Sequence, residues 1–193
     1  VGELVLAWSY SSAKQQPISA TSELQINPII VNGILYGRNP HYNVFALEAE
    51  TGKELWTRPV DTEPVGLSFM RGISYWQDTQ KQQQRILFTT SHYLFAIDAN
   101  TGQSIGDFGN NGKVDLRAGL GRDINKISVY APSPGVIFDD LIIIGTAVNE
   151  TFGAAPGDIR AYSTVTGELV WRFHTLPHEG EFGYDSWPKD HWQ

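Results

Sequence analysis

The 193-residue sequence has no cysteine and a single methionine, and its 14 lysines and arginines are outnumbered by 21 aspartates and glutamates, for a formal net charge of −7. The missing thiols exclude a disulfide-stapled scaffold, a thiolate zinc site and a cysteine nucleophile, and they fit an oxidising compartment. The basic residues form no cluster. That argues against nucleic acid or an anionic membrane as the main partner, because both need a concentrated positive field. No apolar run approaches the ~18 residues of a membrane-spanning helix. Val1 to Tyr10 lacks the basic lead and long apolar centre of a secretory signal, so an exported form is expected to have lost one. Helical periodicity is almost absent, since Pro and Gly interrupt every longer stretch. What the chain does have is aromatic residues and glycine: six Trp, eight Tyr, nine Phe and 19 Gly. Its length fits one domain or a piece of a larger one.

Three segments repeat: Ala46 to Trp56 (ALEAETGKELW), Ala96 to Gly106 (AIDANTGQSIG) and Ala161 to Trp171 (AYSTVTGELVW). In each, a strand-like run meets a Thr-Gly pair, where Gly52, Gly102 and Gly167 can take the positive φ of a bulged hairpin turn. A further strand follows and reaches Trp in two of the copies. Upstream of each lie two more short strands: Pro28 to Val31 and Ile34 to Gly37 around Asn32-Gly33; Gly72 to Trp76 and Arg85 to Thr90 around a Gln-rich turn; Gly135 to Phe138 and Leu141 to Gly145 around Asp139-Asp140. Four-stranded antiparallel units recurring at roughly 40 to 65 residues point to an all-β fold, a β-propeller with Trp-docking motifs. The small Ala of each motif is expected to leave room for an indole of the adjoining blade. The units are placed at 25–60, 70–106 and 131–173. Residues 1–24 are the remnant of a preceding blade, with Leu4 to Tyr10 as one of its strands, and 174–193 begin the next connection. Three blades cannot close a ring, so the end blades need further blades or self-association to cover them.

Strand parity sorts the loops between two rims. The Thr-Gly turns and Asn32-Gly33 fall on one. Gln25 to Asn27, Arg38 to Asn43, the connection ending Met70-Arg71-Gly72, the loop Ala147 to Gly157 and the tail from His174 fall on the other, which therefore collects the unusual polar residues around one mouth.

On these residues the chain resembles the pyrroloquinoline quinone (PQQ)-dependent dehydrogenases, near their glucose dehydrogenase branch. The resemblance is carried by the Trp motifs, Arg71 to Tyr75 (RGISY), Gly112 to Leu116 (GKVDL), Ala147 to Glu150 (AVNE) and Trp171 to Trp187 (WRFHTLPHEGEFGYDSW). It implies the first blades of an eight-bladed, periplasmic propeller, in some members tethered to the inner membrane. It also implies oxidation of an alcohol or sugar hydroxyl, with PQQ and Ca²⁺ or Mg²⁺ as cofactors and ubiquinone or a cytochrome as electron acceptor. In the reaction so implied, a carboxylate base takes the hydroxyl proton and hydride passes to the quinone while the cation polarises its carbonyl.

Carried over position by position, Arg71 matches the family's cofactor-binding arginine, and its planar fork suits a tricarboxylate. Gln25 stands where relatives often carry a Glu that touches the cofactor. Glu150 matches the metal-ligating carboxylate, and Asn149 can add a carbonyl oxygen, although Ca²⁺ takes ~6 to 8 oxygens. Ser133 and Thr146 fall where relatives place hydroxyl contacts, and satisfied strand-end hydroxyls read equally well there. The glucose-oxidising membrane enzymes carry a His where Leu67 stands, so the resemblance does not carry glucose over as substrate. The family's stacking Trp, later Asn ligand and catalytic Asp match no residue here, and the isolated chain is expected to be inactive. A non-catalytic propeller serving as a docking platform is the alternative, since it needs the repeats but not Arg71, Glu150 or the tail.

Other signals have plain explanations. Asn149 to Thr151 spells a glycosylation sequon, Asp107 to Gly109 spells the kinase metal motif without its context, and Gly119-Leu-Gly121 lacks the third glycine and the helix of a nucleotide loop. His174 and His178 stand four apart, but Pro177 breaks the helix that would make them a metal pair, so capped loop histidines are expected. His41, Asp185, Lys189 and Asp190 read as rim surface residues.

Overall fold

The computed structural model describes residues 2–12, 25–60, 71–151 and 153–188. Leu67, Met70, Lys189 and Asp190 lie outside them. Strands β1 (Ile29–Val31), β2 (Ile34–Arg38), β3 (Val44–Glu48) and β4 (Glu54–Arg58) pair in that order as blade I. β5 (Ser74–Gln77), β6 (Gln84–Thr90), β7 (Tyr93–Asp98) and β8 (Lys113–Asp115) form blade II. After β9 (Val129–Tyr130), blade III is built from β10 (Val136–Phe138), β11 (Leu141–Ile144), β13 (Ile159–Ser163) and β14 (Leu169–Phe173). β12 (Ala147–Val148) leaves the blade and pairs with β9 as a separate ribbon. All these pairings are antiparallel, and the expected all-β propeller architecture is what the chain adopts.

The turns follow from the local sequence. Asn32 and Gly33 both have positive φ (50° and 79°), the backbone that lets a two-residue hairpin match the twist of its strands. At the Thr-Gly corners, the amides of Gly52, Gly102 and Gly167 donate to the carbonyls of Glu48, Asp98 and Ser163. The expected bulges appear as register shifts at Ala46/Leu47 and Ala161/Tyr162.

Two apolar layers lie between the blades. Tyr36, Val44, Ala46, Ile73, Ile86 and Ile97 belong to the one joining blades I and II. Trp76, Leu87, Leu94, Phe108, Ile142 and Ile144 belong to the one joining blades II and III. Indoles lock the stack. Trp56 donates from Nε1 to the Ala99 carbonyl at 3.1 Å, and a Cβ placed on Gly102 would lie 2.8 Å from its ring. Trp8 makes the same bond to Ala49 at 3.1 Å and lies over Gly52. Thus glycine at the corner makes the room for the neighbouring indole. The motif's Ala46 instead sits opposite Trp56 within one sheet. Leu4 to Tyr10, expected as a strand, joins no ladder and is held by Trp8 and by the Tyr10 hydroxyl on Glu54.

Blade II departs from the expected unit 70–106. Its fourth strand is Lys113–Asp115, while Ser104 makes only an isolated bridge to Ile97. The physical reason is Gly106, which supplies no indole where the other copies have Trp56 and Trp171. The chain loops out through Gly109 and Gly112 (φ 54° and 89°) and returns one strand later. Val114 and Gly109 then pack on Gly167 of blade III in place of an indole. Trp76 and Arg85 complete the joint, the indole donating to Asp140 at 3.1 Å and the guanidinium to the Thr164 and Val165 carbonyls at 2.9 and 2.6 Å.

Candidate functional site

The mouth is set by the first strand of each blade. The amide of Asn27 donates to the Arg71 carbonyl at 3.2 Å, and the amide of Arg71 donates to the Pro132 carbonyl at 2.8 Å. The segments leading into β1, β5 and β10 are therefore stitched side by side. Gln25, Arg71 and Ser133 each lie within two residues of this run, and all three are exposed. Gly72 is buried against Pro134, where a Cβ would meet the ring at 3.1 Å. Arg71 can enter the line because a glycine follows it.

Two hydroxyls fix the entry of blade III, and a third ties blade II to blade I. Thr89 donates to the Ala131 carbonyl and Ser74 to the Gly135 carbonyl, both at 2.5 Å. Thr90 accepts from Arg38 at 2.6 Å. Arg38 is 2% exposed; the Nη2 that reaches Thr90 also donates to the Tyr42 carbonyl at 3.1 Å, and Nη1 donates to the Thr89 carbonyl at 2.7 Å. Burial pulls its pKa down to about 10, with Tyr42 opposing. These supports were not singled out in the sequence. The signal that could have found them is the Thr89-Thr90 pair closing the long apolar strand β6.

Thr146 precedes the β9–β12 ribbon, in which Ala147 faces Tyr130 and Val148 faces Val129. Continuing that register sets Thr146 beside Ala131, one residue from the Pro132 carbonyl that Arg71 uses. Its Oγ1 is buried with no hydrogen-bond partner among the described residues. Asn149 and Glu150 follow β12 and are exposed, at the other end of the ribbon from the stitched segments. Among the described residues, no three His, Asp or Glu side chains converge as a metal site. Four of the six candidates, Gln25, Arg71, Ser133 and Thr146, thus share one region, and Asn149 and Glu150 stand at its margin.

The tail folds on itself beside β14. The His174 and His178 rings stack at 3.7 Å and 11° rather than converging as ligands. Glu181 receives the His178 amide and contacts His174 Nδ1, each at 2.8 Å. The His178 amide, and then His174, hold its carboxyl below the usual range. A cleft of about 470 Å³ opens here between Arg172, Phe173, His174, Glu181, Phe182 and Trp187.

Comparison with known proteins places this geometry. Residues 1–193 match the family described as PQQ: glucose/ethanol/alcohol dehydrogenase, beta-propeller domain. The chain is 31% identical over 79% of its length to a quinate/shikimate dehydrogenase (quinone) of Acinetobacter baylyi, covering 22% of that protein. It is 30% identical over 99% of its length to a quinoprotein glucose dehydrogenase of Gluconobacter oxydans, covering 26% of it. Among solved structures, the quinohemoprotein alcohol dehydrogenase of Comamonas testosteroni superimposes with a TM-score of 0.62 at 22% identity, over 81% of this chain and 22% of that one. The ADH-IIG enzyme of Pseudomonas putida HK5 gives 0.59 at 26% identity, over 81% of this chain and 21% of that one. The chain therefore spans about a quarter of the length of these relatives. With stitched blade entries, Gly-docked indoles and a full-length family match, the chain belongs to the β-propeller domain family of the PQQ-dependent glucose, ethanol and alcohol dehydrogenases.

Proposed function

We propose that this chain supplies one arc of the cofactor-holding mouth of a quinoprotein dehydrogenase that oxidises an alcohol or sugar hydroxyl. The observation that carries this is the backbone run Asn27–Arg71–Pro132, which aligns Gln25, Arg71 and Ser133 on one rim beside the unpartnered Thr146 hydroxyl. The residues fit PQQ. A polyanionic ring system asks for a guanidinium fork, neutral amide donors and hydroxyls, and no carboxylate crowds Arg71 in that run. When bound, PQQ supplies a two-electron acceptor for the substrate hydroxyl. Arg71 binds and orients a carboxylate, Gln25 and Ser133 donate to neighbouring oxygens, and Thr146 gives its hydroxyl an otherwise missing partner. Asn149 and Glu150 offer oxygens to a Ca²⁺ or Mg²⁺ at the edge of the site, with the rest of the shell from outside these residues.

Relatives named as quinone-linked and quinohemoprotein enzymes favour a quinone or a haem group as electron acceptor, and ubiquinone or a cytochrome in a periplasmic setting is part of the same proposal. No residue here matches the family's catalytic carboxylate, so the isolated 193 residues bind but do not turn over.

The test is fluorescence titration of the chain with PQQ, with and without Ca²⁺, in parallel with Arg71→Leu. Saturable indole quenching that weakens about 10- to 100-fold in the variant is expected from loss of a charge-assisted pair. No saturable quenching, or equal affinity in both proteins, overturns the assignment.

A further inference from the structure

Between blades II and III lies a polar group that neither the mouth nor the docking scheme uses. In the first two repeats the residue before the motif alanine is Phe45 or Phe95; in the third it is Arg160. A guanidinium thus replaces a phenyl ring inside the fold, at 1% exposure. Its Nη1 and Nη2 are buried without a hydrogen-bond partner among the described residues. Arg172 faces it across β13–β14 and donates to the Gly119 carbonyl of the blade II connection at 2.7 Å. The Arg172 Nε is also buried and makes no hydrogen bond among the described residues, although Asp158 Oδ2, itself 1% exposed, lies 3.6 Å away.

Charge is unbalanced here. Two guanidiniums meet one carboxylate. The next carboxylate, Asp115, is engaged by Arg117 at 2.7 Å. Burial pushes the Tyr162 hydroxyl up, and the Arg160 guanidinium, 5.6 Å from its ring, pulls the other way. Arg172 keeps 22% exposure toward the tail cleft, but Arg160 is enclosed, and a positive charge left over beside an enclosed guanidinium is costly.

We propose that this junction binds one compact monovalent anion, of chloride or formate size, held by Nη1 and Nη2 of Arg160 and Nε of Arg172, and that the ion fastens blade III to blade II. One negative charge balances the group, and a compact ion suits a guanidinium that is 1% exposed. The fork of Arg160 matches a carboxylate or receives a halide between its nitrogens. The site lies off the run Asn27–Arg71–Pro132 but adjoins the Thr146 side of the mouth, because Arg160 pairs with Ile144, two residues before Thr146. Water satisfies the donors but not the charge, and the experiment separates the two.

Thermal unfolding of the full chain is measured at fixed ionic strength while isethionate, a larger anion, is exchanged for chloride, bromide or formate. A saturable rise in melting temperature is expected, about 3 to 6 °C at tenfold excess over the dissociation constant. Arg160→Phe restores the residue of the other repeats and should abolish the anion dependence. Asp158→Asn removes the competing carboxylate and should steepen it. Equal melting temperatures in all anions, or an anion response retained in Arg160→Phe, overturns the proposal. If Arg160→Phe does not fold, crystals grown in bromide decide: an anomalous peak beside Arg160 supports the site, and its absence refutes it.

Discussion

Gly102→Ala tests the docking scheme most sharply, because one methyl group meets two separate penalties. Gly102 has φ +72°, so any side chain there incurs the left-handed penalty of about 1 kcal/mol. Its new Cβ would lie 2.8 Å from Cε3 and 3.0 Å from Cδ2 of Trp56, inside any real carbon contact. The indole cannot slide freely, because its Nε1 is tied to Ala99 and Arg58 is tied to the Gly102 carbonyl at 3.1 Å. Overpacking of this kind costs about 1 to 3 kcal/mol. The sum, about 2 to 4 kcal/mol, corresponds to a fall of about 4 to 15 °C in melting temperature for a chain of this size. Gly33→Ala is the control: φ is +79°, but nothing lies within 4 Å of its Cβ, so only the backbone penalty applies. Denaturant unfolding of the two variants, with Trp56→Leu in a double-mutant cycle, separates the terms. Equal destabilisation by Gly102→Ala and Gly33→Ala, or no coupling to Trp56, would refute glycine-made docking.

Two further predictions concern pH. Tyr36 is 1% exposed, and burial, with Tyr75 and Asp98 adding to it, pushes its hydroxyl up to about 12. Between pH 10 and about 12 the folded chain keeps a proton that the unfolded chain has lost, so its contribution is whole below pH 10 and falls as pH rises through that window; Tyr36→Phe should flatten this alkaline limb by about 1 to 3 kcal/mol in stability measured against pH. For Asp115, burial raises the pKa, but the Arg117 hydrogen bonds outweigh it and hold the carboxyl below its usual 3.8. That contribution is present above pH 4 and is lost on acidification, so Asp115→Asn should soften the acid limb by about 0.5 to 1 kcal/mol in stability measured against pH.

Much of the architecture was readable in advance because its determinants are local. A Thr-Gly corner, a two-residue Asn-Gly turn and a flanking alternation fix each hairpin without reference to the rest of the chain. The fourth strand of blade II was not readable, since its position depends on what an absent indole leaves unfilled between blades. Gly106 shows only that Trp is missing. Parity placed Gln25 and Arg71 on one rim, which needs only strand counting, whereas Ser133 came from the family resemblance. The stitching of Asn27 to Arg71 to Pro132 is carried by backbone groups, which leave no trace in residue type. Arg38 was read only as the start of a rim loop, and Arg160 escaped notice, for another reason: a buried arginine looks like a surface one until its neighbours are known.

The run of amides along β1, β5 and β10 has a mechanical consequence. Residues more than a hundred positions apart are spaced by peptide geometry instead of by flexible side chains, so the inner lip behaves as a hoop whose circumference is set by the number of sheets. A guest seated there meets a ruler of fixed pitch. Changes on the outer strands can alter how tightly the sheets clasp without altering the distance between its marks.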